Sequence, residues 1–138
     1  MKSVFMRYPG GRTKAVTFSY DDGVKDDLRL AALFDRYGLK ATFNHNGASF
    51  RPFCFTGEEL REHFLSRGHE IAVHGMGHRA NGNMRVIEGI RDVLDCRLDL
   101  EERCGTIIRG MAYPDTGITQ MGNLGSYHLA KEKEYEIL

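Results

Sequence analysis

The sequence predicts an α/β fold in which parallel strands alternate with helices. Short runs of β-branched and aromatic residues alternate with segments of helical periodicity, and two of the helical segments end on a glycine. Strands and helices that alternate in this way pair in parallel through right-handed crossovers, as an open sheet or a barrel. The length of 138 residues suits one domain, and we expect a single domain over 1–138.

The strands are predicted where β-branched and aromatic residues cluster. The first of these segments is expected to be a buried strand because its sequence, "KAVTFSY", is mostly apolar. Four segments qualify as strands: 14–20, 39–46, 69–75 and 106–114.

The helices are predicted from apolar residues at helical spacing. The first covers about 25–38, and the second covers 56–68, where Thr56 and Glu59 form a capping box. The third and longest runs from about 83 to 103, with one apolar side. The last stretch, "KEKEYEIL" at 131–138, is predicted to begin a further helix.

Composition excludes several classes of partner. Lys and Arg number 19, as do Asp and Glu, so we expect no nucleic-acid partner and no attraction to an anionic membrane. No apolar stretch is long enough to span a bilayer, and the first residues lack a secretory signal, so a cytoplasmic location is expected. The three cysteines, Cys54, Cys96 and Cys104, form no Cys-x-x-Cys pair and are interpreted as reduced thiols.

Three polar clusters follow predicted strands. They are Asp21-Asp22-Gly23, the segment "HGMGH" at 74–78, and the segment "RGMAYPDTG" that starts at Arg109. Ligands of parallel α/β folds gather at the carboxyl ends of the strands. We therefore expect these clusters, which are far apart in sequence, to lie on one rim.

The composition of the first two clusters is that of a metal site. His74 and His78 are four residues apart, a spacing at which two imidazoles point at one metal ion. Asp22 would supply a third ligand, and its neighbour Asp21 would remain available as a general base. Zinc is the default ion, with nickel, cobalt and manganese as alternatives, because N/O ligation does not select sharply among them.

Each cluster also has an ordinary structural interpretation. An Asp-Asp-Gly after a strand is often a turn with a helix cap, and a His-x-x-x-His pair on a surface is often incidental. The joint occurrence of both at successive strand ends favours the metal site. The other histidines are interpreted as structural or exposed: His45, His63, His69 and His128.

Three segments in this order, "TFSYDDG", "HEIAVHGMGH" and "RGMAYPDTG", resemble the motifs of the polysaccharide deacetylases (NodB-homology, carbohydrate esterase family 4) over about 14–117. The resemblance implies an irregular (β/α) barrel and a metal-dependent hydrolase that removes N- or O-acetyl groups from sugars. It implies Asp21 as the catalytic base and Asp22, His74 and His78 as metal ligands. Residues of the third motif would then contact the oxyanion or substrate: Arg109, Tyr113, Pro114 and Asp115, the last through its backbone N–H.

The sequence departs from the family pattern at several of these positions. Gly75 stands where the family has Ser or Thr, so a hydroxyl that supports the histidines is expected to be lost. Ala112 stands where the family has the arginine near the base, and Arg109 would lie on the opposite face of a strand. Asp115 replaces the tyrosine that usually follows the proline.

The chain ends soon after the third motif, so it is expected to be the N-terminal part of a barrel that lacks its later strands. An open barrel exposes a sheet edge, which a second copy of the chain could cover as a homo-oligomer. Three functions compete: a metal-dependent deacetylase of acetylated carbohydrate, a catalytically impaired carbohydrate- or metal-binding fragment, and an amidohydrolase of small non-sugar amides.

Overall fold

The computed structural model describes residues 7–48, 50 and 55–115, and the backbone of 136–137. Within these residues five strands form one sheet in the order β1-β2-β3-β4-β5, and every neighbouring pair is parallel. The chain order thus equals the spatial order, as in a barrel that winds one strand at a time. The strands are β1 (Ser19–Tyr20), β2 (Thr42–His45), β3 (Glu70–Val73), β4 (Gly110–Met111) and β5 (Glu136–Ile137).

Helices connect the first four strands. They are α1 (Asp26–Arg36), α2 (Gly57–His63) and α3 (Val86–Cys104), with short 3₁₀ turns at Pro9–Gly11, Leu65–Arg67 and Asn81–Asn83. The predicted α/β class and all three predicted helices are confirmed, and the capping box of Thr56 and Glu59 is present. None of these helices is both long and apolar enough to cross a bilayer.

The strands are shorter than the sequence predicts, and the first is not buried. Only Ser19–Tyr20 of the predicted 14–20 segment pairs with β2, and both residues are exposed. Val16 exposes 79% of its surface. The prediction of a buried strand was wrong because, among the described residues, β1 has a neighbour on one side only and forms an edge of the sheet.

The final segment also differs from its prediction. Glu136–Ile137 forms β5, in register with Gly110 and Met111 of β4, where the sequence predicted the start of a helix. Pairing with β4 gives the backbone groups of that strand a partner, a gain that local helix propensity does not include. The remainder of the predicted helix, 131–135 and 138, lies outside the described residues.

The core lies between the sheet and the helices α1, α2 and α3. It is built around rings and branched side chains that are almost fully buried, and Phe43 meets Phe64 edge to face with ring centroids 4.8 Å apart. Helix α3 contributes Val93, Cys96 and Leu100, each with no exposed surface. These three buried residues hold α3 beneath the carboxyl ends of β2 and β3, where the polar clusters begin.

Candidate metal centre

Asp22, His74 and His78 converge at the carboxyl ends of β1 and β3. Oδ1 of Asp22 lies 2.9 Å from Nε2 of His78 and 3.4 Å from Nε2 of His74. One ligand atom from each residue lies within 4.8 Å of the others, and this is the group of possible metal ligands found among the described residues. The expectation that the first two clusters share one rim is therefore met by the geometry.

The separations suit a cation held between the three atoms. Two ligand atoms about 2.1 Å from an ion, at tetrahedral or octahedral angles, lie about 3.0–3.4 Å apart. The observed separations of 2.9 and 3.4 Å match this spacing. An imidazole pair with one carboxylate is also the donor set that zinc and related ions prefer, so the residues present fit a divalent metal.

A hydrogen bond orients His74 for this role. Its ring is buried, with 2% exposed, and Nδ1 lies 3.0 Å from the carbonyl oxygen of Ala112. Because a carbonyl oxygen can only accept, Nδ1 carries the proton and Nε2 keeps its lone pair towards Asp22. A histidine ligand usually donates its other ring N–H in this way, which fixes both tautomer and ring orientation.

Two of the three side chains come from backbone in the left-handed region. The φ angles are +82° at Asp22 and +47° at His78. Such a conformation costs a non-glycine residue of order 1–3 kcal/mol and persists where the surroundings impose it. Aspartate tolerates it better than most residues, which helps the turn after β1 to aim Asp22 at the histidines.

Asp21 lies beside this group and points to a different partner. Its Oδ1 accepts a 2.7 Å hydrogen bond from Nδ2 of Asn44, and the residue is otherwise exposed. Nδ2 of Asn44 also donates to Oγ of Ser19, 2.7 Å away, and Asn44 is fully buried in β2. The two adjacent carboxylates therefore have different environments: one faces two imidazoles and the other faces an amide and solvent.

We call residues 74–78, which carry the two histidines, the histidine loop. Two side chains from outside this loop hold it in place. Nδ2 of Asn46 donates to the carbonyl oxygens of His74 and Gly75 at 2.6 and 3.2 Å. Oδ1 of Asp92, on α3, accepts from the N–H of Gly77 at 3.2 Å. Burial raises the pKa of Asp92, although the N–H groups of Gly77 and Met76 act in the opposite direction.

The same face of α3 supports the loop after β2. Asp92, Cys96, Asp99 and Arg103 recur at intervals of four, three and four residues, which places them on one side of a helix. Asp99 accepts from the N–H of Ala48 at 3.0 Å, and Cys96 donates to the carbonyl oxygen of His45 at 3.5 Å. The guanidinium of Arg103 donates to the carbonyl oxygens of Asn46 and Phe55.

An aromatic ring completes the surroundings of the second histidine. The ring of Phe50 stacks on that of His78, with centroids 5.4 Å apart and an interplanar angle of 20°. The His78 side chain is still 22% exposed, so this part of the group faces solvent. A substrate could therefore approach from the side of His78, whereas the His74 side is closed by protein.

The residues of the third motif are spread between the interior and the surface. Pro114 is buried below the histidine loop, since a Cβ placed on Gly75 would lie 3.5 Å from its Cγ. Tyr113 is half-buried, and Arg109 is exposed before β4. Asp115 is exposed with a φ of +53°. Their contacts with an oxyanion or substrate stay predictions.

The remaining histidines have structural surroundings where they are described. His45 is buried against Phe55 and Phe64, and burial lowers its pKa to about 3. The buried His69 accepts from the N–H of Ala41 through Nδ1. His63 is half-buried on α2, and His128 lies outside the described residues. Cys96 and Cys104 are free thiols as expected, and Cys54 lies outside the described residues.

Sequence reasoning missed several residues around the site, among them Asn44, Asn46, Phe50 and Asp92. Asn44 had a detectable signal, because asparagine is disfavoured in strands and this one lies within a predicted strand. Asp92 had none, since it reads as one charged residue of an amphipathic helix. Phe50 stands in a stretch whose sequence predicts no regular element.

Comparison with known proteins places this chain in a family. A family model described as polysaccharide deacetylase matches residues 4–123, so the chain belongs to that family. A comparison with curated protein sequences gives no significant match.

Solved structures share the fold at low identity. The Streptococcus pyogenes deacetylase PplD, in complex with acetate, is 18% identical over 89% of this chain and 54% of its own, with a TM-score of 0.77. A family 4 acetyl xylan esterase from Clostridium thermocellum, in complex with a cobalt ion, is 25% identical over 78% of this chain and 53% of its own, with a TM-score of 0.61. A CE4 family pseudoenzyme from Bacillus anthracis is 14% identical over 88% and 41%, with a TM-score of 0.70.

This chain therefore spans about half the length of the solved structures that it matches. The comparison confirms the predicted family and the predicted NodB-type α/β fold. That the 138 residues form the N-terminal part of a barrel without its later strands stays a prediction.

Proposed function

We propose that this chain carries the metal- and base-bearing part of a metal-dependent carbohydrate deacetylase, which hydrolyses N- or O-acetyl groups of an oligosaccharide or polysaccharide. The observation that carries the proposal is the convergence of Asp22, His74 and His78, with Asp21 adjacent, in a member of the polysaccharide deacetylase family. Zinc is the proposed ion, and the structure of the acetyl xylan esterase in complex with a cobalt ion supports a divalent metal of this kind.

The residues divide the chemistry among them. Asp22, His74 and His78 would hold the ion, which when bound lowers the pKa of water and polarises an acyl oxygen. Asp21 would accept the proton of the attacking water, because its carboxylate faces solvent and is held in place by Asn44. The backbone N–H of Asp115 would donate to the developing oxyanion, with Tyr113, Pro114 and Arg109 near the substrate.

The leaving group needs a proton donor, and the roles proposed above assign none. A second candidate is therefore a catalytically impaired fragment that still binds metal or carbohydrate. The similarity to the fold of a CE4 family pseudoenzyme supports the same candidate. In both cases turnover by the 138 residues alone should be low.

Acetate release from acetylated chitooligosaccharides tests the proposal. Zinc-loaded chain, chelator-treated chain and the Asp21→Asn variant would be compared, with an active chitooligosaccharide deacetylase as the reference. We expect zinc-dependent release at a rate about 10²–10⁴-fold below the reference, because the proposal assigns no general acid to these residues, and Asp21→Asn should lower this release further. Small N-acetyl amides would be assayed in parallel, and hydrolysis of these without sugar hydrolysis would indicate an amidohydrolase instead.

The outcomes separate the candidates. Zinc binding without any acetate release would favour the impaired fragment, and release that is equal with and without zinc would contradict the proposal. Light scattering on the same samples tests whether the exposed edge at β1 is covered by a second copy. A homo-oligomer is the expected result.

A further inference from the structure

The position of Asp92 beneath the histidine loop has no part in the proposed chemistry. Asp92 is on α3, and its carboxylate enters the loop between His74 and His78 from below. Oδ1 accepts a hydrogen bond from the N–H of Gly77, while Oδ2 is buried without a hydrogen bond of ordinary geometry from the described residues, and the N–H of Met76 also acts to lower the pKa of this carboxylate. A buried carboxylate oxygen without a donor is costly, so its placement calls for an explanation.

The explanation lies in the space at Gly75. A Cβ built on Gly75 would lie 2.6 Å from Oδ2 of Asp92, closer than a real contact allows. The backbone there has a φ of +81°, a conformation that glycine adopts without strain. Gly75 and Asp92 therefore fit each other: the missing side chain leaves the space that the carboxylate occupies.

This pairing shows what holds the loop in the absence of a side chain at position 75. Gly75 lacks the hydroxyl that the family resemblance implies there, and the loop is held by the carboxylate of Asp92 and the amide of Asn46. The support is supplied from a helix rather than from within the loop. A carboxylate that accepts a backbone N–H makes a stronger bond than a hydroxyl does, because the acceptor is charged.

The consequence concerns the distance between the two histidine ligands. Gly77 directly precedes His78, whose φ of +47° is strained. Among the described residues, the hydrogen bond from the N–H of Gly77 to Asp92 is the side-chain contact that holds the backbone next to His78. Asn46 fixes the other end, at His74 and Gly75. The side-chain anchor of the His78 end is thus Asp92.

We propose that Asp92 is a positioning residue of the metal centre, which holds the His78 end of the histidine loop in the ligand geometry through the space left by Gly75. The inference rests on the proposed metal site and adds to it a residue that touches neither the ion nor the substrate. It predicts that metal affinity and coordination geometry depend on Asp92 even though Asp92 is not a ligand.

The test compares Asp92→Ala with a matched variant, Asp95→Ala. Asp95 is an exposed carboxylate three residues further along the same helix, so its removal changes the net charge equally without affecting the loop. Zinc affinity would be measured by calorimetry, coordination geometry by the visible absorption of the cobalt-substituted chain, and loop anchoring by hydrogen exchange of the Gly77 amide.

We expect Asp92→Ala to weaken zinc binding by about 10–100-fold, the usual effect of removing a group that orients a ligand. The cobalt spectrum should change and the Gly77 amide should exchange faster. Asp92→Asn keeps an oxygen that can accept from Gly77, and should therefore lie closer to wild type in all three measurements. If Asp92→Ala does not fold, Asp92→Leu serves as the test: its side chain has a similar size but cannot accept from Gly77, so it should weaken zinc binding as Asp92→Ala does.

Four outcomes would overturn the inference. Equal losses in Asp92→Ala and Asp95→Ala would assign the effect to net charge. A lower melting temperature with wild-type zinc affinity and cobalt spectrum would make Asp92 purely structural. A wild-type chain that binds no zinc would overturn the proposed metal site and this inference together, whereas wild-type binding that Asp92→Ala leaves unchanged would overturn the inference alone.

Discussion

The histidine loop and the turn after β1 that carries Asp21 and Asp22 supply the same candidate site but are built differently. The histidine loop is held on several sides, by Asn46, by Asp92 and, through the His74 ring, by the carbonyl of Ala112. Asp21 is exposed, and the side-chain hydrogen bond that it accepts from the described residues comes from the amide of Asn44. Strong anchoring suits groups that must hold an ion in fixed geometry, and solvent access suits a group that must exchange a proton.

The comparison predicts that the largest loss of metal affinity follows from a substitution in the histidine loop, which is the more firmly held of the two regions. His74→Ala removes a buried ligand and should lower zinc affinity by more than the 10–100-fold that typically follows loss of a supporting hydrogen bond. Calorimetric titration measures this, with His63→Ala as the control because His63 lies on α2, outside the site. Zinc affinity that is the same in both variants would mean that the three residues do not bind metal.

A second experiment should distinguish the roles of the two adjacent carboxylates, Asp21 and Asp22. Asp21→Asn is expected to lower acetate release by about 10²–10⁴-fold, as for loss of a general base, while it changes zinc affinity little. Asp22→Asn should lower zinc affinity first, and activity as a consequence. Both variants would be assayed for acetate release and by calorimetry. If Asp21→Asn lost zinc and Asp22→Asn did not, the two roles would have to be exchanged.

The histidine loop depends on the packing of helix α3 beneath it. A substitution in the core tests this packing. Leu100→Ala should lower the free energy of unfolding by about 2–5 kcal/mol, because Leu100 is fully buried on α3. Leu98 is 54% exposed on the same helix, so Leu98→Ala should stay within about 0.5 kcal/mol of wild type. Urea denaturation measures both. Similar losses in the two variants would contradict the packing described for α3.

The support of Asp21 is a single side chain, so a smaller effect is expected there. Asn44→Ala removes the donor to Asp21 and to Ser19, and should cost about 1–3 kcal/mol of unfolding free energy. Acetate release should also fall, though less than in Asp21→Asn. Asn83→Ala, at an exposed position, is the control for urea denaturation and for activity. Unchanged activity in Asn44→Ala would show that Asp21 positions itself without this amide.

The smallest predicted effect is a pH dependence of the free energy of unfolding, caused by the buried His45. Burial lowers the pKa of His45 to about 3 in the folded chain, whereas a histidine in the unfolded chain has a pKa near 6.5. The folded chain therefore takes up this proton only at a lower pH than the unfolded chain does. The unfolded state therefore binds more protons between these values, and stability falls as the pH drops through this window. From pH 8 to pH 5.5 the contribution is about 1.4 kcal/mol.

Urea denaturation of the metal-free chain at both pH values checks this expectation. His45→Phe keeps a ring against Phe55 and Phe64 but cannot titrate, so the change between the two pH values should shrink in that variant. A wild-type chain that is more stable at pH 5.5 than at pH 8 would have the wrong sign. An equal change in the variant would assign the dependence to other groups.

The metal cluster could be predicted from the sequence, but its support could not. Asp21, Asp22, His74 and His78 stand next to segments whose pattern predicts strands, and the ends of parallel strands share one rim. The contact of Asp92 with Gly77 joins two elements, and it depends on the rotation of α3 about its axis. That rotation is set by the packing of buried residues against the sheet, which no local pattern specifies.

By itself, the sequence determined the α/β class, the order of the elements, the three helices and the residues of the candidate metal group. These follow from period, caps and motif spacing, which are local properties. Only the tertiary structure decided that β1 is an exposed edge, that Glu136–Ile137 pairs as β5, and that Asn44 and Asp92 support the two halves of the site. The reason is that the burial and pairing of a segment depend on neighbours far away in the chain, whose positions local propensity does not specify.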